Sequence, residues 1–446
     1  MSGVRPRTWP GGTRSPRGEA VIPVDYAEIE ALGLGRLEGE GTITGITADS
    51  RRARPGNLFV AINRGVEYLD DARARGAGAV LVPDDAFAAL AALATLVRAR
   101  SEARVVAVVG STGKTTTKDI LGALCAAQVP TVWAEASQNN EIGLPLTICR
   151  LEPDTRVLVT EMGMRGLGQI AQLCAVARPH VALVTHIGPE HLELLGSVEQ
   201  VARANAESID SLPPGGTAVV PTGTPELEPF LTRDDIVIRR FDAAKVERVD
   251  TRWRFRLAER DLLLELPFSQ RHMAENTLAA LTAYDALGLP LGRAQEGASR
   301  IELSRWRGEE LALPGGGFVV NDAYNANPTS MRAALIDFTE RAAGRRRVAI
   351  LGEMAELGET SEAYHRQIGA LIAELGIEVL VAVGPAARHY MEPGVATMRW
   401  LEEPTGFEDL VRPGDALLVK ASRAFGLEGI PARLANVTRS GSTRVC

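Results

Sequence analysis

Short apolar runs separated by helical stretches recur along this chain. Val105–Val109, Val157–Val159 and Val181–Val184 are almost uninterrupted in their apolar character, the pattern of strands buried on both faces of a parallel sheet. Between the first two, from Thr116 to Gln128, apolar residues return at Ile120, Leu121, Leu124 and Ala127, which predicts a helix with one buried face. Upstream, Thr42–Ile46, Leu58–Ile62 and Ala79–Val82 read as short strands. Ala86–Arg100 reads as an alanine-rich helix, and the joint to the next domain falls near Ser101. Downstream of Pro314-Gly315-Gly316-Gly317 the alternation resumes, with strands predicted at Phe318–Val320, Val348–Leu351, Val379–Val383 and Ala416–Val419. The expected fold is therefore α/β in three domains: residues 21–102, 103–313 and 314–446, after a disordered leader over 1–20.

Composition narrows the class. A chain of 446 residues with 45% hydrophobic content has enough apolar surface for a core in each domain. The net charge of −7 argues against nucleic acid as the main partner, since such proteins carry a basic surplus on one face. The four cysteines, Cys125, Cys149, Cys174 and Cys446, are scattered, which favours a reducing compartment over a disulfide framework. The leader holds Arg5, Arg7, Arg14 and Arg17 but no apolar core of a secretory signal, and no run is long enough to span a bilayer. A monomeric cytoplasmic protein with no membrane partner is expected.

Candidate chemistry collects where predicted strands end. Gly110-Ser111-Thr112-Gly113-Lys114-Thr115-Thr116 follows the first central strand and opens the helix, as a phosphate loop does. Glycines let backbone N–H groups close around phosphate oxygens, Lys114 adds a point charge at the outer phosphates, and the Thr115 hydroxyl suits magnesium. Helix starts also attract anions. Glu161 closes the next strand, where it reads as an oxygen ligand for a magnesium ion bridging phosphates rather than a solvated strand end. His186 and His191 follow the third strand. Zinc is excluded by the lack of companion ligands, and His191 stands as a candidate ligand of a second magnesium.

Asn276, in the first turn of an apolar helix, reads from spacing alone as a structural amide, and Arg307 as a surface-paired arginine. Asn321 to Pro328 is too polar for a simple turn and reads as a binding loop. Gly352–Gly358 and Lys420-Ala421-Ser422-Arg423 place further charge at the ends of strands in the same domain.

The order of these strings, with Asn139-Asn140-Glu141-Ile142-Gly143-Leu144-Pro145, Glu161-Met162-Gly163 and Ile187 to Glu193, resembles the Mur ligase family over residues 40 to 430. Tyr324–Pro328, Gly352–Gly358 with His365, and Leu418–Arg423 are similar to its MurF type, which adds D-alanyl-D-alanine to a UDP-muramoyl tripeptide. The resemblance implies an amino-terminal acceptor-substrate domain, a central phosphate-loop ATPase and a carboxyl-terminal Rossmann-like domain. It implies ATP-dependent, ADP-forming amide ligation through an acyl phosphate, with ATP and Mg2+ as cofactors and a carboxylate acceptor and an amino acid or dipeptide as partners.

By position in the motifs, Lys114, Glu161 and His191 would be catalytic, and Thr115, Glu161 and His191 would hold metal. Residues Gly110 to Thr116 with Asn276, Arg307 and Asp322 would hold ATP. Ser50, Arg51, Asn139, Asn140, Tyr324, Asn325, Asn327, Lys420, Ser422 and Arg423 would meet the substrates. The sequence departs from the family at Asn205, where relatives carry a carbamylated lysine, at His186 and Gln270, and in the shortened stretch Asn63 to Ala72. These changes keep open a paralogue with a different acceptor, or a catalytically silent nucleotide-binding partner.

Overall fold

The computed structural model describes residues 21–257 and 260–440, so the arginine-rich leader and Cys446 lie outside the described residues. The chain forms two compact units. The first comprises the chain up to His186, Arg203–Ser269 and Met273–Glu302; the second comprises Ile187–Ala202, Gln270–His272 and the chain from Leu303 onward.

The first unit opens with a four-stranded sheet of β1 (Gly35–Gly39), β2 (Gly45–Thr47), β3 (Asn57–Val60) and β4 (Ala79–Pro83) in the order β1-β4-β3-β2. Leu58, Phe59, Val60, Val80 and Leu81 are buried in it. The run Thr42–Ile46, expected as one strand, is two: Thr42–Ile43 pairs antiparallel with Val24–Asp25, whereas Gly45–Thr47 joins the larger sheet. The break falls at Thr44, whose amide turns away to the Gly56 carbonyl at 2.8 Å. Helix α1 (Ala86–Ala99) starts where the Asp85 carboxylate accepts from the amides of Phe87 and Ala88, and it buries Ala89, Leu90, Leu93, Ala94 and Val97. That spacing is one face of a helix.

The unit continues as a wholly parallel six-stranded sheet. Its strands are β5 (Arg104–Val109), β6 (Thr131–Trp133), β7 (Val157–Glu161), β8 (Val181–Val184), β9 (Thr217–Pro221) and β10 (Val237–Phe241), in the order β10-β9-β8-β5-β7-β6. Every residue of Val105–Val109 is fully buried, as expected for a strand covered by helices on both faces. Helix α2 (Lys114–Ala126) follows β5 directly and begins two residues before the expected Thr116. Since β5 lies between β7 and β8, the loop after it opens at the carboxyl edge of the sheet where the connections diverge, the usual place for a ligand in such sheets.

A further sheet, antiparallel, of β11 (Val246–Val249), β12 (Arg252–Leu257) and β13 (Arg260–Leu264) was not anticipated. Its apolar positions alternate with arginines, and in β12 Trp253, Phe255 and Leu257 are buried between exposed or half-buried Arg252, Arg254 and Arg256. Such alternation marks a strand with one wet face.

The second unit holds another six-stranded sheet, of β14 (Glu309–Ala312), β15 (Phe318–Asn321), β16 (Arg347–Gly352), β17 (Val379–Val383), β18 (Thr397–Leu401) and β19 (Ala416–Lys420). The order is β14-β15-β19-β16-β17-β18, with β14 alone antiparallel. The four strands expected here are present. The edge strands β14 and β18 are additions, so the sheet begins upstream of the Pro314 punctuation. Phe407, Val348, Ile350, Val381 and Leu417 lie in its core.

Back in the first unit, Gly297 packs so tightly on helix α2 that a Cβ there would stand 2.4 Å from Leu124 Cα. Backbone cannot yield as a flexible side chain would, so Gly297→Ala is expected to destabilise the unit by about 1–3 kcal/mol, read as a lower denaturant midpoint at unchanged slope.

Candidate active site

The phosphate loop is shaped by its glycines and held by distant side chains. Gly110 has φ +127° and Gly113 φ +78°. A Cβ at Gly110 would meet Thr185 Oγ1 at 2.3 Å, and one at Gly113 would meet Asn276 Oδ1 at 2.4 Å. Neither position therefore accepts another residue. The Gly110 amide donates to Asn205 Oδ1 at 2.7 Å, the Ser111 amide to the His186 carbonyl at 2.7 Å, and the Thr185 hydroxyl to the Thr112 carbonyl at 2.6 Å. Lys114 folds its ammonium back to the Gly110 carbonyl, so that it spans the loop. Asn205, where relatives would carry the carbamylated lysine, is 1% exposed and serves the loop as an acceptor.

Asn276 stands in the second turn of its helix, not the first, because the helix runs Arg271–Ala286. The change sets its amide against Gly113 instead of capping the helix. Spacing alone had favoured a purely structural amide; the contact makes Asn276 part of the wall of the loop.

Glu161, at the end of β7, is 1% exposed. Its Oε1 accepts from Asn139 Nδ2 at 2.8 Å. Its Oε2 is buried without a hydrogen-bond partner. A buried carboxylate oxygen left unpaired is costly unless a ligand or ion completes it. Thr115 presents its hydroxyl 3.1 Å from that of Ser137. Carboxylate and hydroxyl oxygens are hard donors of the kind magnesium takes alongside phosphate oxygens, so Thr115 and Glu161 fit the ion. Among the described residues no group of three or more His, Cys, Asp or Glu side chains forms a metal cluster by itself.

The other expected residues of this unit are engaged as follows. Asn140 accepts from the Gly143 amide at 3.0 Å through Oδ1, opening the short helix Gly143–Ile148. Ser50 is buried in a 3-10 turn. Arg51 pairs through two bonds with Asp49, at 2.9 and 2.8 Å, and that hydrogen bonding holds the Asp49 carboxyl below the ordinary range.

Within the second unit, His191 has φ +51° and its Nδ1 bonds the Glu356 carboxylate. Glu356 was legible only as charge at a strand end. Lys420 is 2% exposed, donating to Asp322 at 2.5 Å and to the Asn325 carbonyl at 2.9 Å. Ser422 Oγ accepts from the Ala355 amide at 2.9 Å and donates to the Ala326 carbonyl at 3.2 Å. Two cation–aromatic stacks follow one another in the chain: Arg307 lies 4.1 Å over Tyr324, and Arg423 lies 4.1 Å over Trp306.

Asn327 caps the helix Pro328–Arg341 through the Ser330 amide at 2.9 Å, so the last residue of the string expected as a binding loop already opens the helix. Pro at the first position makes that early start favourable. His365 is fully buried; its Nε2 accepts from the Met354 amide at 3.1 Å while Nδ1 bonds the Ser361 carbonyl at 2.7 Å, bracing the Gly352–Gly358 loop.

Known proteins resemble this chain along most of its length. A model described as the Mur ligase middle domain matches residues 108–284, and one described as the Mur ligase, glutamate ligase domain matches residues 306–423. A curated UDP-N-acetylmuramoyl-tripeptide–D-alanyl-D-alanine ligase from Synechocystis is 30% identical, covering 92% of this chain and 96% of that protein.

The chain belongs to the Mur ligase family. The ligase of the same description from Escherichia coli is 32% identical over 82% of this chain and 86% of its own. The crystal structure of MurF from Acinetobacter baumannii superposes with a TM-score of 0.82 at 26% identity, covering 93% of this chain and 99% of that one. Among Mur ligases the likeness is thus to the MurF type. As in the family, the chain is an ATP-dependent ligase. No helix among the described residues is long and apolar enough to cross a membrane.

Two outcomes are expected of this Mur ligase. Glu161→Gln removes the charge on the orphaned oxygen, so in metal-free buffer its unfolding midpoint should match or exceed that of the parent, while the magnesium-dependent gain in binding of an ATP analogue, read by calorimetry, is lost. His272 Nδ1 is buried without a partner, and burial, reinforced by Lys420 and Arg341 against Asp322, pushes its imidazole down from 6.5 to about 4. With the folded value below the unfolded one, the stability it contributes is full above pH 6.5 and declines as pH falls through 4, by about 3 kcal/mol. His272→Gln should flatten the acid side of a stability–pH curve.

Proposed function

We propose that this Mur ligase joins D-alanyl-D-alanine to the free carboxylate of a UDP-muramoyl tripeptide, forming ADP and phosphate. The observation that carries the reading is the phosphate loop beside a buried carboxylate with one oxygen left for a cation, in a chain similar to curated ligases of that specificity along nine tenths of its length.

The chemistry follows from the leaving group. A carboxylate cannot acylate an amine while its leaving group is oxide. Attack of a carboxylate oxygen on the γ-phosphorus of ATP forms a P–O bond and breaks the bond to the β-phosphate oxygen, which departs with its electron pair as ADP. The amine nitrogen then attacks the acyl carbon, phosphate leaves with the electrons of the C–O bond, and the nitrogen sheds its proton. The protein's task is to align anions and neutralise charge.

We assign the amides of Gly110 to Thr116 and the Lys114 ammonium to the phosphates. Thr115 and Glu161 are assigned to magnesium, which supplies charge neutralisation at the phosphate oxygens. His191 keeps its assignment to a second cation, with Glu356 to orient its ring, and Asn276, Arg307 and Asp322 keep theirs to ATP. Ser50, Arg51, Asn139 and Asn140 are assigned to the acceptor. Tyr324, Asn325, Asn327, Lys420, Ser422 and Arg423 are assigned to the amine substrate. The buried thiols Cys125, Cys149 and Cys174, unpaired in disulfides, suit a cytoplasmic place of action.

Purified protein supplied with ATP, magnesium, UDP-muramoyl tripeptide and D-alanyl-D-alanine is expected to yield both ADP and the ligated product by mass. Lys114→Ala should lower ADP release by about 100-fold or more. ADP release with other acid–amine pairs but not this one would replace the acceptor assignment; absence of turnover with every pair would overturn the catalytic reading.

A further inference from the structure

We propose that Lys118 is a positioning residue for the magnesium end of the triphosphate site, acting through the loop Ala134–Asn140; the inference rests on the nucleotide reading above. Lys118 lies one helical turn beyond Lys114 on α2 and is fully buried. An ammonium removed from water is tolerated only if its three N–H groups find acceptors. Lys118 has three: the Ala134 carbonyl at 2.7 Å, the Ala136 carbonyl at 2.7 Å and the Asp119 carboxylate at 2.6 Å.

Two of those acceptors are backbone groups of a single loop, the one that leaves β6 at the carboxyl edge of the sheet. Ala136 sits there at φ +47°, a conformation an alanine keeps only where its surroundings over-determine it. The residues that follow carry groups that face Thr115 and Glu161, the residues assigned to the cation. Ser137 Oγ is 3.1 Å from Thr115 Oγ1, and Asn139 Nδ2 donates to Glu161 Oε1 at 2.8 Å. The Asn139 carbonyl in turn accepts from the Gly163 amide at 2.8 Å. Lys118 thus ties the phosphate-loop helix to the loop that fixes the plane of the Glu161 carboxylate and leaves its other oxygen free. Outer partners of this kind orient ligand groups without touching the ion. A lysine that merely filled space would have no reason to gather two carbonyls from one strained turn.

The test uses the full chain with Lys118→Met and Lys118→Arg. Hydrogen–deuterium exchange should speed up in the peptide covering residues 134–140 of the methionine variant, with helix α2 and strand β5 unchanged. Calorimetry with a nonhydrolysable ATP analogue should show the magnesium-dependent gain in affinity reduced about 10–100-fold, while metal-free nucleotide binding stays within about twofold of the parent, since the outer-partner effect falls on the ion. Arginine, which keeps the charge and several donors, should recover part of the gain. Unchanged loop exchange, or an unchanged magnesium gain, in the methionine variant overturns the proposal. Should that variant fail to fold, Lys118→Gln is read by the same two measurements and decides in the same way. A parent protein that binds no analogue at all would sink the nucleotide reading instead, and the exchange data would still report on the loop.

Discussion

Strand register decides whether this molecule has a site. Val108 of β5 stands opposite Glu161 of β7, so the carboxylate closes its strand just as the neighbouring chain turns into the phosphate loop. Side chains alternate between faces of a strand, and a slip of one residue would send Glu161 to the opposite face. The unbroken burial of both strands resists that slip, because shifting either would bring the charged end into the apolar interior. A sheet that looks like plain scaffold is what sets the amides assigned to the phosphates in line with the oxygen assigned to the cation.

The polar groups around that alignment divide into those satisfied within the protein and those left over. Asn140 and Asn327 begin helices, His365 braces a loop, Lys420 is taken by Asp322, and Asn205 accepts from the first glycine of the loop. Glu161 Oε2 is the contrast, buried and unmatched. Native proteins pair nearly all such atoms, so an exception at a sheet's ligand edge points outward to a ligand. The second unit applies a different economy, placing the guanidinium groups of Arg307 and Arg423 over the rings of Tyr324 and Trp306. A cation over a ring face is held by the ring's quadrupole, an attraction that itself consumes no N–H donor.

Much of this was legible in the residues because the signals are contiguous. The phosphate loop is one string, Glu161 ends one apolar run, and the four inner strands of the second unit's sheet are built on apolar runs. What escaped was non-local or disguised. The partner of His191 lies far along the chain at Glu356, and no spacing rule connects them. Lys118 sits among threonines and an aspartate, a composition that reads as a wet helix face although the residue is fully buried. The arginines of β12 concealed an amphipathic strand, because charge at every second position looks like a polar loop when the eye follows apolar runs. Asn276 was legible as a residue, but the position of its helix start was not.

The phosphate loop also depends on chain that is made much later. The acceptor for the Gly110 amide comes from Asn205, 95 residues downstream, and the side chain packed on Gly113 comes later still, from Asn276. A polypeptide leaving the ribosome in order therefore carries the glycine-lysine motif well before it carries the parts that shape it. The loop therefore reaches its observed shape only once the Arg271–Ala286 helix has been made, which ties the shaping of the motif to near-completion of the whole first unit.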